Sequence, residues 1–433
     1  MQPQPKTLAA AAREALLTQA RELERFWHTP ALRLPMLCVW TASFGGALHY
    51  PCTTYFYLLL GATKRDIGNF GLVVYWPDVV LAPVYGHVVD ARGAYPAIVA
   101  TACSCALGCL VRGVAPVGCL GWLYAGNLII GLGASNLWTS VLSHATRHTE
   151  TARREACVSA FLFQVAALRI LGKGAYVPCV RILAALGVAE PLRQYRVLMV
   201  VCPLFCGFSI IFLALRGVCN PRTPVPTEDP EDVAAKAPAS ALLHDEDDAV
   251  VGWGPFSVVA AAVFVDAVCR TAIAVLWPLY GRDLYGWGGS AFAGPYFLEG
   301  LASTAAVGLA PSLSSYAGTM ARASSVLAAL AAALAVLARD APAALFSPAF
   351  ICLQALLAAK DPLGKALGTL SLPRRHQGRA VGRAFAALGA LRALGDGVGH
   401  VVATRLSADV ALLGVAAALA AQAGALAAAR LRK

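Results

Sequence analysis

Ionisable side chains recur inside stretches of sequence that are otherwise apolar. Arg169 and Lys173 stand four apart in one such run, Arg392 and Asp396 in another, and Asp266 and Arg270 in a third. Glu299 is an isolated acid in its run, and Lys360 and Asp361 directly precede Pro362. A charge in an apolar medium costs roughly 2.5–3.5 kcal/mol or more, so each of these is a functional candidate or one half of a pair. Two chemistries fit. Arginines at depth attract an anionic or zwitterionic solute or a coupling carboxylate, and a lone acid such as Glu299 suits a proton carrier. Asp266 with Arg270, and Arg392 with Asp396, have the spacing of a local helical ion pair instead. Glu299 could equally be held by an arginine. The Lys360-Asp361-Pro362 run reads as a helix break, since Pro removes a donor. His49 and Asn127 are further polar candidates.

Enzyme chemistry finds little to work with. No Gly-x-Ser-x-Gly elbow, His-Glu-x-x-His helix or phosphate-cradling Gly loop followed by Lys occurs. His144 and His148 have the i,i+4 spacing of a metal pair but lack a third ligand, and they read as a solvated loop beside Arg147. No metal or cofactor is expected. The 13 cysteines mostly lie in apolar runs and read as small buried hydrophobes.

The elements that must carry these side chains follow from composition. Of 433 residues, 58% are hydrophobic and 14% charged. Soluble domains carry about 25% charged residues, so a membrane is the expected solvent. Apolar runs of spanning length fall at about 34–60, 68–88, 95–114, 117–142, 156–178, 195–216, 254–280, 291–311, 319–338, 343–367, 380–402 and 408–429. The expectation is an all-α membrane protein of twelve spans. Segment 1–33 reads as an amphipathic surface helix, and no signal peptide precedes the first span. Segment 217–252 is acidic and Pro-rich, the composition of a flexible tether. It separates two six-helix bundles, 34–216 and 253–429, and 430–433 is a short tail. Lys and Arg favour the side holding both termini by about two to one, which makes that side cytoplasmic. The +11 formal charge therefore marks loops and orientation, and no nucleic-acid surface is implied.

An internal repeat ties the bundles together. Ala167-Leu168-Arg169-Ile170-Leu171-Gly172-Lys173-Gly174 matches Ala390-Leu391-Arg392-Ala393-Leu394-Gly395-Asp396-Gly397 at six of eight positions, 223 residues apart. Arg169 thus corresponds to Arg392, and Lys173 to Asp396. That opposite-charged pair is expected to make and break a contact as the bundles move.

Between the second and third spans the chain reads Gly86-His87-Val88-Val89-Asp90-Ala91-Arg92-Gly93. This resembles the signature loop of the major facilitator superfamily, with the basic residue displaced by one place to Arg92. Its second-half counterpart near Gly308–Ser312 has lost the acid and the arginine. The run from Gly126-Asn127 through Gly131 and Gly133 to Asn136 is similar to that superfamily's fourth helix. Gln377-Gly378, Gly382, Ala386 and Arg392-Ala393-Leu394-Gly395 are similar to its eleventh. Lys173 and Asp396 stand where the superfamily usually has Pro. The pattern Gly133–Asn136, Ala145-Thr146 and Arg154 also resembles the superfamily's lysosomal branch. The resemblance implies a monomeric secondary transporter of a small solute, working by alternating access about a midplane site, with possible proton coupling. A channel, uniporter or non-transporting receptor on the same fold is the alternative. The plasma membrane or a lysosomal or vacuolar membrane is the expected location.

Overall fold

A computed structural model of the chain describes residues 8–133, 136–149, 154–219, 253–309, 316–337, 342–370 and 379–431. These residues form α1 (Leu8–His28), α2 (Pro30–Leu59), α3 (Lys64–Arg92), α4 (Ala94–Gly113), α5 (Leu120–Gly131), α6 (Asn136–Arg147), α7 (Arg154–Ala185), α8 (Pro191–Cys219), α9 (Trp253–Tyr285), α10 (Gly289–Leu309), α11 (Tyr316–Leu337), α12 (Ala343–Leu370), α13 (Arg379–Arg405) and α14 (Ala408–Leu431), with no strand among them. Without water in a bilayer, backbone groups must be satisfied within the chain, and helices do this locally. Counting α5 and α6 as one span, α2 to α14 supply the twelve expected crossings.

Seven helices are long and apolar enough to span by composition alone: α2, α4, α7, α8, α9, α12 and α14. α5 and α11 are apolar over shorter stretches, and three further helices carry charge. α3 carries Lys64, Arg65, Asp66, Asp78, Asp90 and Arg92, α10 carries Glu299, and α13 carries Arg392, Asp396 and His400. These three helices lie along the boundary between bundles, where α3 packs on α13 and α10 on α7. Polar residues are tolerated where a helix faces protein or a cavity.

The two halves pack alike. In the first, α4 lies on α8 and α2 on α7; in the second, α11 lies on α14 and α9 on α13. The repeat shows in atomic detail. A Cβ placed on Gly172 of α7 would meet the Phe44 carbonyl oxygen at 2.3 Å and Ala47 Cβ at 2.9 Å of α2. A Cβ on Gly395 of α13 would meet the Phe264 carbonyl oxygen at 2.7 Å and Ala267 Cβ at 2.8 Å of α9. The same helix pair is pressed together by the same residue types in each half.

Several expectations need correction. The run at 117–142 is described as two helices, α5 and α6, with a turn at Leu132 and Gly133. α12 continues through Pro362 to Leu370 rather than breaking. Lys360 and Asp361, just before that proline, bind across to neighbouring helices. His144 and His148 lie at the end of α6 and are half-buried, not solvated: His144 Nε2 is 3.1 Å from the Ala31 carbonyl oxygen and the two rings are 4.3 Å apart. α1 packs into the protein, burying Gln19, Glu22 and Phe26. Gln19 donates to Ser159 of α7 at 3.0 Å. Of the acidic segment, 217–219 complete α8 and 220–252 lie outside the described residues, as do Gln377 and Gly378. In the signature loop, Gly86 and Asp90 ride the last turns of α3, Arg92 ends the helix, and Gly93 turns the chain with φ +80° and ψ 179°. That region is essentially open to glycine alone.

Candidate functional site

α7 and α10, from opposite bundles, place two charges against each other. The Lys173 ammonium donates to Glu299 Oε2, with the side chains 8% and 11% exposed. Ser303, one turn beyond Glu299, donates to its other oxygen at 2.6 Å. The Tyr296 ring lies 3.8 Å from the Lys173 nitrogen, a close cation–π contact. Gly300 makes the approach possible, since a Cβ there would stand 3.1 Å from Lys173 Cδ. Lys173 therefore pairs with Glu299, not with Asp396 as expected from the repeat. The reason is geometric: α7 packs along α10, whereas α13 packs along α3.

The remaining charges find partners on other helices too. Asp266 of α9 binds Lys360 of α12, whose side chain is fully buried. Gln422 of α14 joins them, accepting from Lys360 at 2.6 Å and donating to Asp266 at 2.9 Å. Arg270 reaches Asp396 Oδ1 at 3.6 Å, and Thr271 donates to the same oxygen. One nitrogen of Arg392 donates to both oxygens of Asp361, at 2.9 and 3.0 Å. The local i,i+4 pairs expected from sequence, Asp266 with Arg270 and Arg392 with Asp396, are replaced by these interhelical ones. Residues four apart on a helix share a face, but α9, α12 and α13 bring complementary charges to that face at better range. Asp266, Arg270, Lys360, Asp361 and Arg392 together line a small, partly open pocket.

Arg169 is different. Its guanidinium lies 5.3 Å above the Trp138 ring and makes no ion pair or hydrogen bond among the described residues. It is half-buried, within electrostatic reach of Arg270 and Arg392 from the other bundle and of Tyr50 and Tyr296. Three arginines thus converge on the boundary between bundles.

His49 and Asn127 belong to a second polar cluster, inside the first bundle. Asn127 Oδ1 accepts from Tyr57 OH at 3.0 Å and from Arg112 at 3.3 Å, and Arg112 donates to Tyr57 OH at 2.6 Å. His49 Nδ1 lies 3.1 Å from the Gly45 carbonyl oxygen, within electrostatic reach of Arg112. No motif in the sequence marks Arg112. Its position inside the run 95–114, with Asn127 in the next run, is the available signal.

At the end of the molecule where α2 finishes, called the distal end, the bundles are joined by Lys64 with Asp283, by Tyr55 OH donating to the Pro278 carbonyl at 3.3 Å, and by Arg405 donating to Asn69 at 3.1 Å. The His400 and Tyr75 rings meet at a tilt, with centres 5.6 Å apart. Among the described residues no group of three or more His, Cys, Asp or Glu is arranged to hold a metal ion.

Two six-helix bundles meeting at a charged boundary define a membrane carrier fold. The Major Facilitator Superfamily model matches residues 35–399, and the chain belongs to that family. It is a multi-pass integral membrane protein. Solved structures share the fold. The nucleoside transporter NupG has a TM-score of 0.62 at 12% identity, over 92% of this chain and 99% of that one. The fucose:proton symporter FucP of E. coli gives 0.59 at 15%, over 92% and 98%. The human organic anion transporter MFSD10 gives 0.55 at 14%, over 98% and 94%. A comparison with curated protein sequences finds no match.

Proposed function

We propose that this chain is a proton-coupled secondary transporter of a small organic anion or zwitterion, with Glu299 as the coupling carboxylate. The observation that carries the reading is the Lys173–Glu299 pair, which is buried and joins the two bundles. A buried pair across a moving boundary is stable while both partners are charged and strongly destabilised when one is neutralised. Protonation of Glu299 therefore loosens one bundle from the other. The three arginines at the boundary supply the attraction for an anionic group. The structural neighbours include a proton symporter and an organic anion transporter, which supports carrier over channel. Both termini face the cytoplasm in this reading, and the distal contacts close the opposite face.

The test is uptake by purified protein in liposomes, using organic anions and zwitterions with and without an inward proton gradient. Accumulation that needs the gradient and disappears in Glu299→Gln supports the proposal. Equilibration independent of the gradient would make the protein a uniporter or channel and Glu299 a structural residue.

A further inference from the structure

Four carboxylates lie at or beside the boundary, and each is paired with a cation: Glu299 with Lys173, Asp266 with Lys360, Asp361 with Arg392, and Asp396 with Arg270. Arg169 is the boundary cation left over among the described residues. A half-buried cation without a counter-ion is best satisfied by an anion. The Arg169 guanidinium carbon lies over the Trp138 ring, 5.3 Å from its centre, and a guanidinium carries its N–H donors in its own plane. Tyr50 and Tyr296 stand close by, and Tyr296 in turn stacks on Phe292 at 5.4 Å.

We infer that Arg169 anchors a monovalent aromatic anion, and that this anion and one proton on Glu299 cross together without net charge movement. The inference rests on the coupling role proposed for Glu299. The charge count fixes the substrate. In the empty site Arg169, Lys173 and Glu299 sum to one positive charge. When a proton neutralises Glu299 and breaks its bond to Lys173, a bound monoanion restores that sum, because Lys173 lies one turn from Arg169 and within its electrostatic reach. The proton comes from the aqueous phase on the loading side and leaves with the anion on the other. Tyr296 and Ser303 remain against Lys173 and Glu299 as neutral partners throughout. A dianion would lower the sum by one. A neutral solute or a zwitterion would raise it by one, and the ammonium of a zwitterion would meet no unpaired carboxylate.

Benzenesulfonate, 1,3-benzenedisulfonate and phenylalanine test this as monoanion, dianion and zwitterion, and the sulfonates stay charged at every working pH. In proteoliposomes with an inward proton gradient, benzenesulfonate should accumulate at a rate that changes less than about twofold when a potassium diffusion potential is clamped at either sign. Arg169→Gln should reduce that rate about tenfold or more, and Arg169→Lys should restore part of it. Preference for phenylalanine or the disulfonate, or unchanged uptake in Arg169→Gln, overturns the assignment while leaving coupled transport standing. If none of the three probes moves, equilibrium dialysis of the detergent-purified protein decides the anchor separately from the transport cycle. Saturable benzenesulfonate binding lost in Arg169→Gln upholds the site, and no binding refutes it.

Discussion

The ammonium of Lys173 meets the carboxylate of Glu299 across the boundary between the bundles, where each side chain is about nine-tenths buried. The partners come from helices 126 residues apart in sequence. Removing one partner leaves a buried charge, at a cost of about 3–5 kcal/mol, whereas replacing both by neutral groups of similar size is far milder. Lys173→Met should lower thermal stability more than Lys173→Met combined with Glu299→Gln. A double-mutant cycle read by melting temperature in detergent checks this. A loss in the double variant equal to the sum of the two single losses would mean that the pair contributes nothing.

Gly172 and Gly395 predict a paired effect. Gly→Ala normally stabilises a helix interior by about 0.5–1 kcal/mol. At these two positions the added methyl meets a backbone carbonyl of the facing helix, and overpacking of that kind costs about 1–3 kcal/mol. Gly172→Ala and Gly395→Ala should each lower the melting temperature, by similar amounts, while Gly46→Ala in α2, which has open space, should not.

Gly93 joins α3 to α4 in a backbone region that other residues adopt only under strain of about 1–3 kcal/mol. A Cβ at this position meets no neighbouring atom within 4 Å, so backbone strain alone sets the effect. Gly93→Ala should lose about 1–3 kcal/mol of stability from that strain. A melting temperature unchanged from the parent would count against the turn as described.

The same physics sets how much could be read in advance. The spans, the two-bundle layout and the 223-residue repeat are legible because apolar runs and repeated residues are local patterns. Charge partners are not. Sequence spacing favours Asp266 with Arg270, yet Lys360 reaches Asp266 from 94 positions away. Which helices adjoin decides that, and adjacency is a property of the packed bundle. Arg112 is hidden in the sequence for the same reason: its partners Tyr57 and Asn127 lie on α2 and α5, and only packing assembles them.

The turn before α3 gives a pH prediction. Thr63 and Asp66 form a capping box: the Thr63 hydroxyl donates to Asp66 Oδ2 at 2.6 Å and the Thr63 backbone N–H at 2.9 Å. The Thr63 hydroxyl, with help from the backbone and Tyr124, holds the Asp66 carboxyl below its ordinary value. Its folded pKa is below its unfolded one, so the unfolded chain binds the proton more readily. This contribution is fully present above the unfolded carboxylate pKa and is lost as pH falls through the folded value. The melting-temperature gap between the parent and Asp66→Asn should therefore narrow on acidification from neutral pH. A gap that widens in acid would reverse the assignment.

The distal contacts predict a trap. Lys64 and Asp283 face each other from opposite bundles and are partly exposed. A Lys64→Cys, Asp283→Cys variant oxidised to a disulfide should stop transport, and reduction should restore it. Full activity in the oxidised state would show that this end stays closed throughout the cycle.

α1 is built into the molecule, with Phe26 sealed, Gln19 bonded to Ser159 and Arg25 donating to Thr149 at 2.8 Å. It also lies against α10 of the second bundle. The start of the chain is therefore a poor place to attach a reporter. A fluorescent protein or affinity tag fused close to Leu8 would lever on a helix that touches both moving halves, whereas one fused beyond Leu431 extends a helix that is exposed at Gly424, Ala425, Ala427 and Ala428.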